Sequence, residues 1–358
     1  MELSKNDVKI LKGVAILFML LLHLFCRKET DGLYQTFLQI NGIPVLYYLA
    51  LFGDACVPIY CFSSGYGLYT VMSAEHKLNM KKNFIRIFKL LINYWIVLVI
   101  FITIGFLVGK NELFPGSLAK FLLNFSLLAS SYNGAWWFLQ TYLILVLLAP
   151  MLVKLIKKYN SISLLLISGS IYILSYVQRI RHPFDFSESI VGSMFVNAIV
   201  LVGTSQLPFI VGSIFAKGKI YTMLFNKLLG FSYKNTLCLI GILLLVILHA
   251  AYESMVIAPF TAIAFICLFN LTDKSTLTQS VLKFFGKHST NIWLTHMFFY
   301  RSIFPELIFA PKYPIMIFVW LLMLCLISSY IINTIYKPIT RIIDKKVAIV
   351  QYNETAVG

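Results

Sequence analysis

The sequence predicts an all-α, polytopic integral membrane bundle of about ten transmembrane helices with both termini in the cytoplasm. Three observations predict it. Of 358 residues, 59% are hydrophobic and only 12% charged, against about a quarter charged in soluble domains, and the mean hydropathy is +0.83. Apolar runs near the roughly 20 residues that cross a bilayer recur along the whole chain. Loops alternate between rich and poor in Lys and Arg, the pattern expected where cytoplasmic loops collect basic residues. No polar stretch is long enough for a soluble domain, so residues 1–340 read as one membrane domain and 341–358 as a short cytoplasmic tail.

The predicted spans are about 10–26, 44–72, 87–108, 135–153, 162–177, 190–215, 236–251, 255–271, 290–309 and 314–336. The apolar run Phe121–Ala129 is too short to cross and reads as an interfacial or re-entrant piece. With the N-terminus inside, the inner stretches carry Lys5, Lys9 and Lys12; Lys77, Lys81, Lys82, Arg86 and Lys89; Lys154, Lys157 and Lys158; Lys217, Lys219, Lys227 and Lys234; Lys274, Lys283 and Lys287; and Lys337, Arg341, Lys345 and Lys346. The outer stretches carry Arg27, Lys28, Lys110, Lys120, Arg179, Arg181, Arg301 and Lys312. Each inner stretch holds at least three, and a missed span would break the alternation. Topology therefore explains the net charge of +16, and nucleic acid is not needed as a partner. The first apolar run reads as a retained span, not a cleaved signal. The six cysteines lie in or beside apolar stretches without CxxC pairs and read as small buried apolar residues.

Ionisable and polar residues inside the spans carry the chemical signal. Lys12 and His23 are eleven residues apart, three turns plus about 20°, so they share one face of the first span about 16 Å apart along its axis. Lys12 reads either as snorkelling to the inner headgroups or as functional; His23 reads either as an interhelical hydrogen-bonding residue or as functional. In the second span, Asp54 precedes Pro58 and the small stretch Ser63–Gly67; a structural ion pair and a catalytic role both fit Asp54. Arg86 and Lys89 share a face at the entry to the third span, as a topology anchor or as a grip for phosphates. Trp136 and Trp137 open the fourth span as an interfacial belt, with Gln140 one turn from Trp136; such a surface also suits sugar rings. His296 lies early in the ninth span, and His249 and Glu253 lie at the outer end of the seventh. No HExxH, GxSxG, P-loop or paired metal-ligand spacing occurs, which removes the common metalloprotease, hydrolase and NTPase readings and predicts no metal.

Taken together, these motifs resemble the membrane acyltransferase-3 family, bacterial O-acyltransferases of cell-surface glycans. The resemblance rests on Lys12 and His23 in the first span, Val57–Tyr66 in the second, and Arg86-Ile87-Phe88-Lys89 followed by Asn93-Tyr94-Trp95. It extends through Gly134–Leu139, Ala149-Pro150, Gln206–Phe209 and Ile292–His296, so that it covers Lys5 to about Arg341. Lys89 stands where the family usually has Arg, which weakens a bidentate phosphate contact. The resemblance implies acetyl-CoA or another acyl-CoA as cytoplasmic donor and a hydroxyl of a surface glycan or lipid-linked oligosaccharide as acceptor, in a bacterial cell membrane. It implies that Lys12, Arg86 and Lys89 hold donor phosphates. His23 then activates the acceptor hydroxyl or carries the acyl group, and Asp54 orients His23. Trp136, Trp137, Gln140 and His296 fall on the acceptor side. No SGNH-type esterase domain is appended, so the expectation is transfer within the spans or presentation of the acyl group to another protein. A transporter or flippase for a glycan or small anion is the alternative from another class, using the same buried charges as a path.

Overall fold

The computed structural model describes residues 2–74, 80–184, 189–228 and 230–356; Lys77 lies outside the described residues. Apart from a two-residue antiparallel ladder pairing Gln39–Ile40 with Ile43–Pro44, the regular structure is helical. The first helix, α1 (Lys5–Phe25), starts where Ser4 and Asp7 form a reciprocal capping box, satisfying two of its orphan N–H groups.

The second predicted span is a broken helix. It runs as α2 (Val45–Leu51), a tight 3-10 turn over Phe52–Ala55, and α3 (Cys56–Ala74). Pro58 explains the break: a helical proline has no N–H and crowds the carbonyl four residues back, here that of Asp54. The backbone around Asp54 tightens as a result, and Gly53 lets that turn lie against α1, where a Cβ would sit 2.5 Å from the Phe18 carbonyl oxygen.

The following helices are α4 (Met80–Leu107), the short α5 (Leu118–Phe125), α6 (Trp137–Lys158), α7 (Ser161–Arg181), α8 (Ile190–Gly218), α9 (Ile220–Leu228), α10 (Lys234–Ala251) and α11 (Ala258–Leu271). Next comes α12 (Thr276–Met297), continued by a six-residue π-helical stretch, Phe298–Ile303. The chain closes with α13 (Pro305–Phe309) and α14 (Pro314–Ala356), in which the expected tail continues the last helix. The run Phe121–Ala129 begins inside α5, which lies against α4 through stacking of Phe125 on Trp95 and a 2.6 Å hydrogen bond from the Tyr94 hydroxyl to the Asn124 carbonyl.

Among the described residues, eight helices are long and apolar enough to cross a bilayer. All ten predicted segments fall on helices, but two are not among these eight. The segment 255–271 is shorter, and 290–309 is divided between α12, the π-helical stretch and α13. The π stretch and Pro305 interrupt the second of these, and Asn291, Thr295 and His296 dilute its hydropathy. The six cysteines are all free.

Two seams hold the bundle together, α1 against α12 and α3 against α8. At the first, a Cβ on Gly13 would lie 2.0 Å from the Leu282 carbonyl oxygen, and one on Gly286 would lie 2.0 Å from that of Lys9. Gly65 and Gly212 meet Phe209 and Phe62 in the same reciprocal way across the second, where the Ser213 hydroxyl also donates to the Gly65 carbonyl at 3.0 Å. Such small-residue contacts let backbones approach where lipid supplies no hydrophobic drive. Helix α8 is the interior element, with 78% of its apolar window buried, whereas only 11% of α10 is; α10 turns Leu239, Leu243, Leu244 and Ile247 outward.

Candidate active site

The broken second span and the two seams bring α1, α3, α4, α6, α7, α8, α11 and α12 around one cavity of about 300 Å³, at the lower end of the range for small-molecule sites. Lys12 and His23, about 16 Å apart along α1, both line it. So do Asp54, Arg86 and Trp137, together with Tyr60, Ser64, Tyr142, Tyr176, Arg179, Ser205 and Trp293.

At the Lys12 end two cations face the cavity. Arg86 is exposed and donates to the Asn83 side-chain oxygen at 3.2 Å, while Asn83 is itself held by the Val146 carbonyl at 3.4 Å. Neither Lys12 nor Arg86 pairs with a carboxylate among the described residues. Lys89, one turn on, instead forms an ion pair with Asp344 of α14 and is not in the cavity wall. One face of α4 therefore contributes one guanidinium without a carboxylate partner among the described residues and one neutralised ammonium.

At the other end the two imidazoles are coupled. His23 Nδ1 lies 2.8 Å from His296 Nε2, and His296 Nδ1 lies 2.7 Å from the Trp293 carbonyl oxygen. A carbonyl only accepts, so His296 carries its proton on Nδ1. Neutral His296 then accepts at Nε2, which assigns the His23 proton to Nδ1 and leaves the His23 Nε2 lone pair free. His296 is fully buried and stands behind His23, outside the cavity wall. The arrangement fixes a base by its second nitrogen, as an oriented histidine requires.

Asp54 faces a different histidine. Its Oδ2 lies 3.6 Å from Nε2 of the fully buried His249, and His249 Nδ1 lies 3.2 Å from the Thr261 hydroxyl, which is within reach of the Ala258 carbonyl. His23 makes its ring contact with His296, and Asp54 reaches the cavity from the α10–α11 side. Trp136 is buried, donating its indole N–H to the Leu294 carbonyl at 3.1 Å and meeting Tyr94 edge-to-face. Trp137, one residue on, presents its ring to the cavity, while Gln140 is half-buried outside the wall. Among the wall residues, Tyr142, Tyr176, Arg179 and Ser205 carry no signal in the sequence motifs. By sequence Arg179 falls among the outer loop cations; its three-residue spacing to Tyr176 puts both on one face of α7.

The geometry thus defines a polytopic membrane protein in which one cavity joins two cations, without acid partners among the described residues, to an oriented imidazole base. A family model described as an acyltransferase domain matches residues 5–334. The chain belongs to the acyltransferase-3 family and is a membrane acyltransferase. No curated protein and no solved structure matches it.

Proposed function

We propose that the protein moves an acyl group, acetyl in the simplest case, from cytoplasmic acyl-CoA to a hydroxyl of a surface or lipid-linked glycan in a bacterial cell membrane. One observation carries this reading: a single cavity is lined by Lys12 and Arg86 at one end and by His23 at the other. With the N-terminus inside, as the loop charges imply, the Lys12 end opens to the cytoplasm and the His23 end lies toward the outside.

Lys12 and Arg86 hold the phosphates of the donor, and Lys89, neutralised by Asp344, adds less. His23 acts as general base. Its Nε2 takes the acceptor hydroxyl proton as the hydroxyl oxygen bonds the thioester carbonyl carbon. The C–S bond breaks, and the departing thiolate takes that proton back from His23. His296 holds the His23 ring and favours its charged form during transfer. Asp54, backed by His249, contributes charge at the acceptor end, where Trp137 offers a ring face; Trp136 and Gln140 support that wall from behind.

The test is complementation of a deletion strain, with NMR of the surface polysaccharide read for O-acetyl signals. Membrane-inserted His23→Ala should abolish those signals, and Arg86→Ala should weaken donor binding. A stably inserted His23→Ala protein that still acetylates its glycan sinks the assignment.

A further inference from the structure

Arg179 is the one basic residue of the cavity wall, among the described residues, that neither the donor grip nor the histidine pair uses. Its guanidinium carbon lies 5.9 Å from the Trp137 ring and 6.0 Å from the Tyr176 ring, and both rings also line the cavity. Tyr176 is fixed by its hydroxyl, which donates to the Met255 carbonyl at 3.0 Å. No ion pair or hydrogen bond engages Arg179 among the described residues; the two aromatic faces are what position it. A guanidinium clasped by ring faces keeps its N–H fork available at the edge, and that fork matches a carboxylate or phosphate.

Charge across the whole wall points the same way. Lys12, Arg86 and Arg179 stand against a single carboxylate, Asp54, which is turned to His249 at 3.6 Å. The Lys12 end accounts for an anionic donor, and Arg179 lies at the far end of α7, on the His23 side by the alternation of the spans. Arg179 is half-buried in the last turn of α7, with no acid partner among the described residues, so its charge is open to a ligand entering the cavity.

We propose that Arg179, with Trp137 and Tyr176, forms an oxyanion subsite for the acceptor, which is therefore an acidic glycan: its sugar bears, or adjoins, a carboxylate or phosphate. The word acceptor rests on the acyl-transfer reading; the anion subsite does not. The oxyanion anchors the sugar while its ring lies on Trp137, presenting a hydroxyl to His23.

The test is calorimetric titration of the detergent-purified full chain with methyl glucuronide, glucose 1-phosphate and methyl glucoside. At least one of the two anionic sugars should bind about tenfold or more tighter than the neutral one. Arg179→Ala should remove that preference, Arg179→Lys should restore part of it, and CoA binding should be the same in both variants. Equal binding of the three sugars by the unaltered protein, or an unchanged preference in Arg179→Ala, overturns the proposal. So does a site that takes short-chain phosphatidylglycerol through Arg179 and neither sugar anion, which would make it a lipid headgroup site. Intact anion preference without acyl transfer from acetyl-CoA to any acidic glycan would leave the subsite standing and remove the transfer reading instead.

Discussion

Replacing Gly286 by alanine tests whether a remote backbone contact sets the geometry of the histidine pair. The new Cβ would lie 2.0 Å from the Lys9 carbonyl oxygen, where ordinary contact starts at 3.4 Å, so α12 and α1 must part by about 1.4 Å at that height. Overpacking of this kind costs about 1–3 kcal/mol. His296 is ten residues further along α12, about 15 Å away. If the helices part as rigid rods, the 2.8 Å contact between His23 and His296 opens to about 4 Å, beyond hydrogen-bond range. Misplacement of a catalytic group by about 1 Å can cost on the order of 10²-fold in rate. Gly286→Ala should therefore lower both the melting temperature and, by about 10²-fold, the acyl-transfer kcat. Gly169→Ala on α7 is the control, because a Cβ there meets nothing within 4 Å and alanine is the better helix former. A Gly286→Ala protein with a lowered melting temperature and a kcat within about twofold of the parent refutes the role given to the histidine contact. An unchanged melting temperature refutes the close approach itself.

His296→Phe strands the His23 Nδ1 proton without an acceptor and should lower kcat by about 10²–10⁴-fold with donor KM unchanged, while His296→Gln, which keeps an acceptor, recovers part of the loss; equal kcat in the two variants would contradict the orienting role of His296. Arg86→Ala should raise donor KM about 10–100-fold, the worth of a charge-assisted hydrogen bond, and Lys89→Ala should raise it less because Lys89 already pairs with Asp344; the reverse order in donor-saturation curves would reassign the grip. Hydrogen bonds from Lys28 at 2.6 Å and Tyr47 at 2.9 Å hold the Glu253 carboxyl below its ordinary value of 4.5. A depressed folded value makes ionised Glu253 stabilising above about pH 4.5, with that gain lost as pH falls through the folded value. The melting temperatures of Glu253→Gln and the parent should then differ slightly at neutral pH and converge as pH falls through the depressed folded value, the effect staying small for so exposed a pair; a pH-independent difference would speak against the linkage.

Helical periodicity was enough to put Lys12 and His23 on one face, because 3.6 residues per turn is a local property of one segment. It could not say which helix that face meets. His23 finds His296 across 273 positions of chain, a pairing set by Gly13 and Gly286 drawing two backbones together, and nothing in the hydropathy of either span encodes it. Asp54 read equally well as a structural partner or a catalytic group, since the tight turn imposed by Pro58 decides where its carboxylate goes, and that direction leads to His249. Arg86 and Lys89 looked equivalent by spacing; Asp344, 255 residues away, makes them different. Arg179 fell among the outer loop charges because span ends are legible only to within several residues, and α7 extends to Arg181. The two predicted spans that are not single apolar helices show the same limit. A hydropathy window averages over polar residues such as Asn291 and His296, whose partners lie on other helices.

The hydrogen-bond chain behind His23 ends on a peptide carbonyl, that of Trp293, and not on a side chain. A scan that replaces residues one at a time leaves that oxygen in place whatever stands at position 293. Loss of function there would report the indole, which lines the cavity, while the group that sets the tautomer stays genetically silent. Its contribution becomes visible only by altering the main chain itself, for example by an ester linkage in place of the amide, which weakens the carbonyl as an acceptor without touching any side chain.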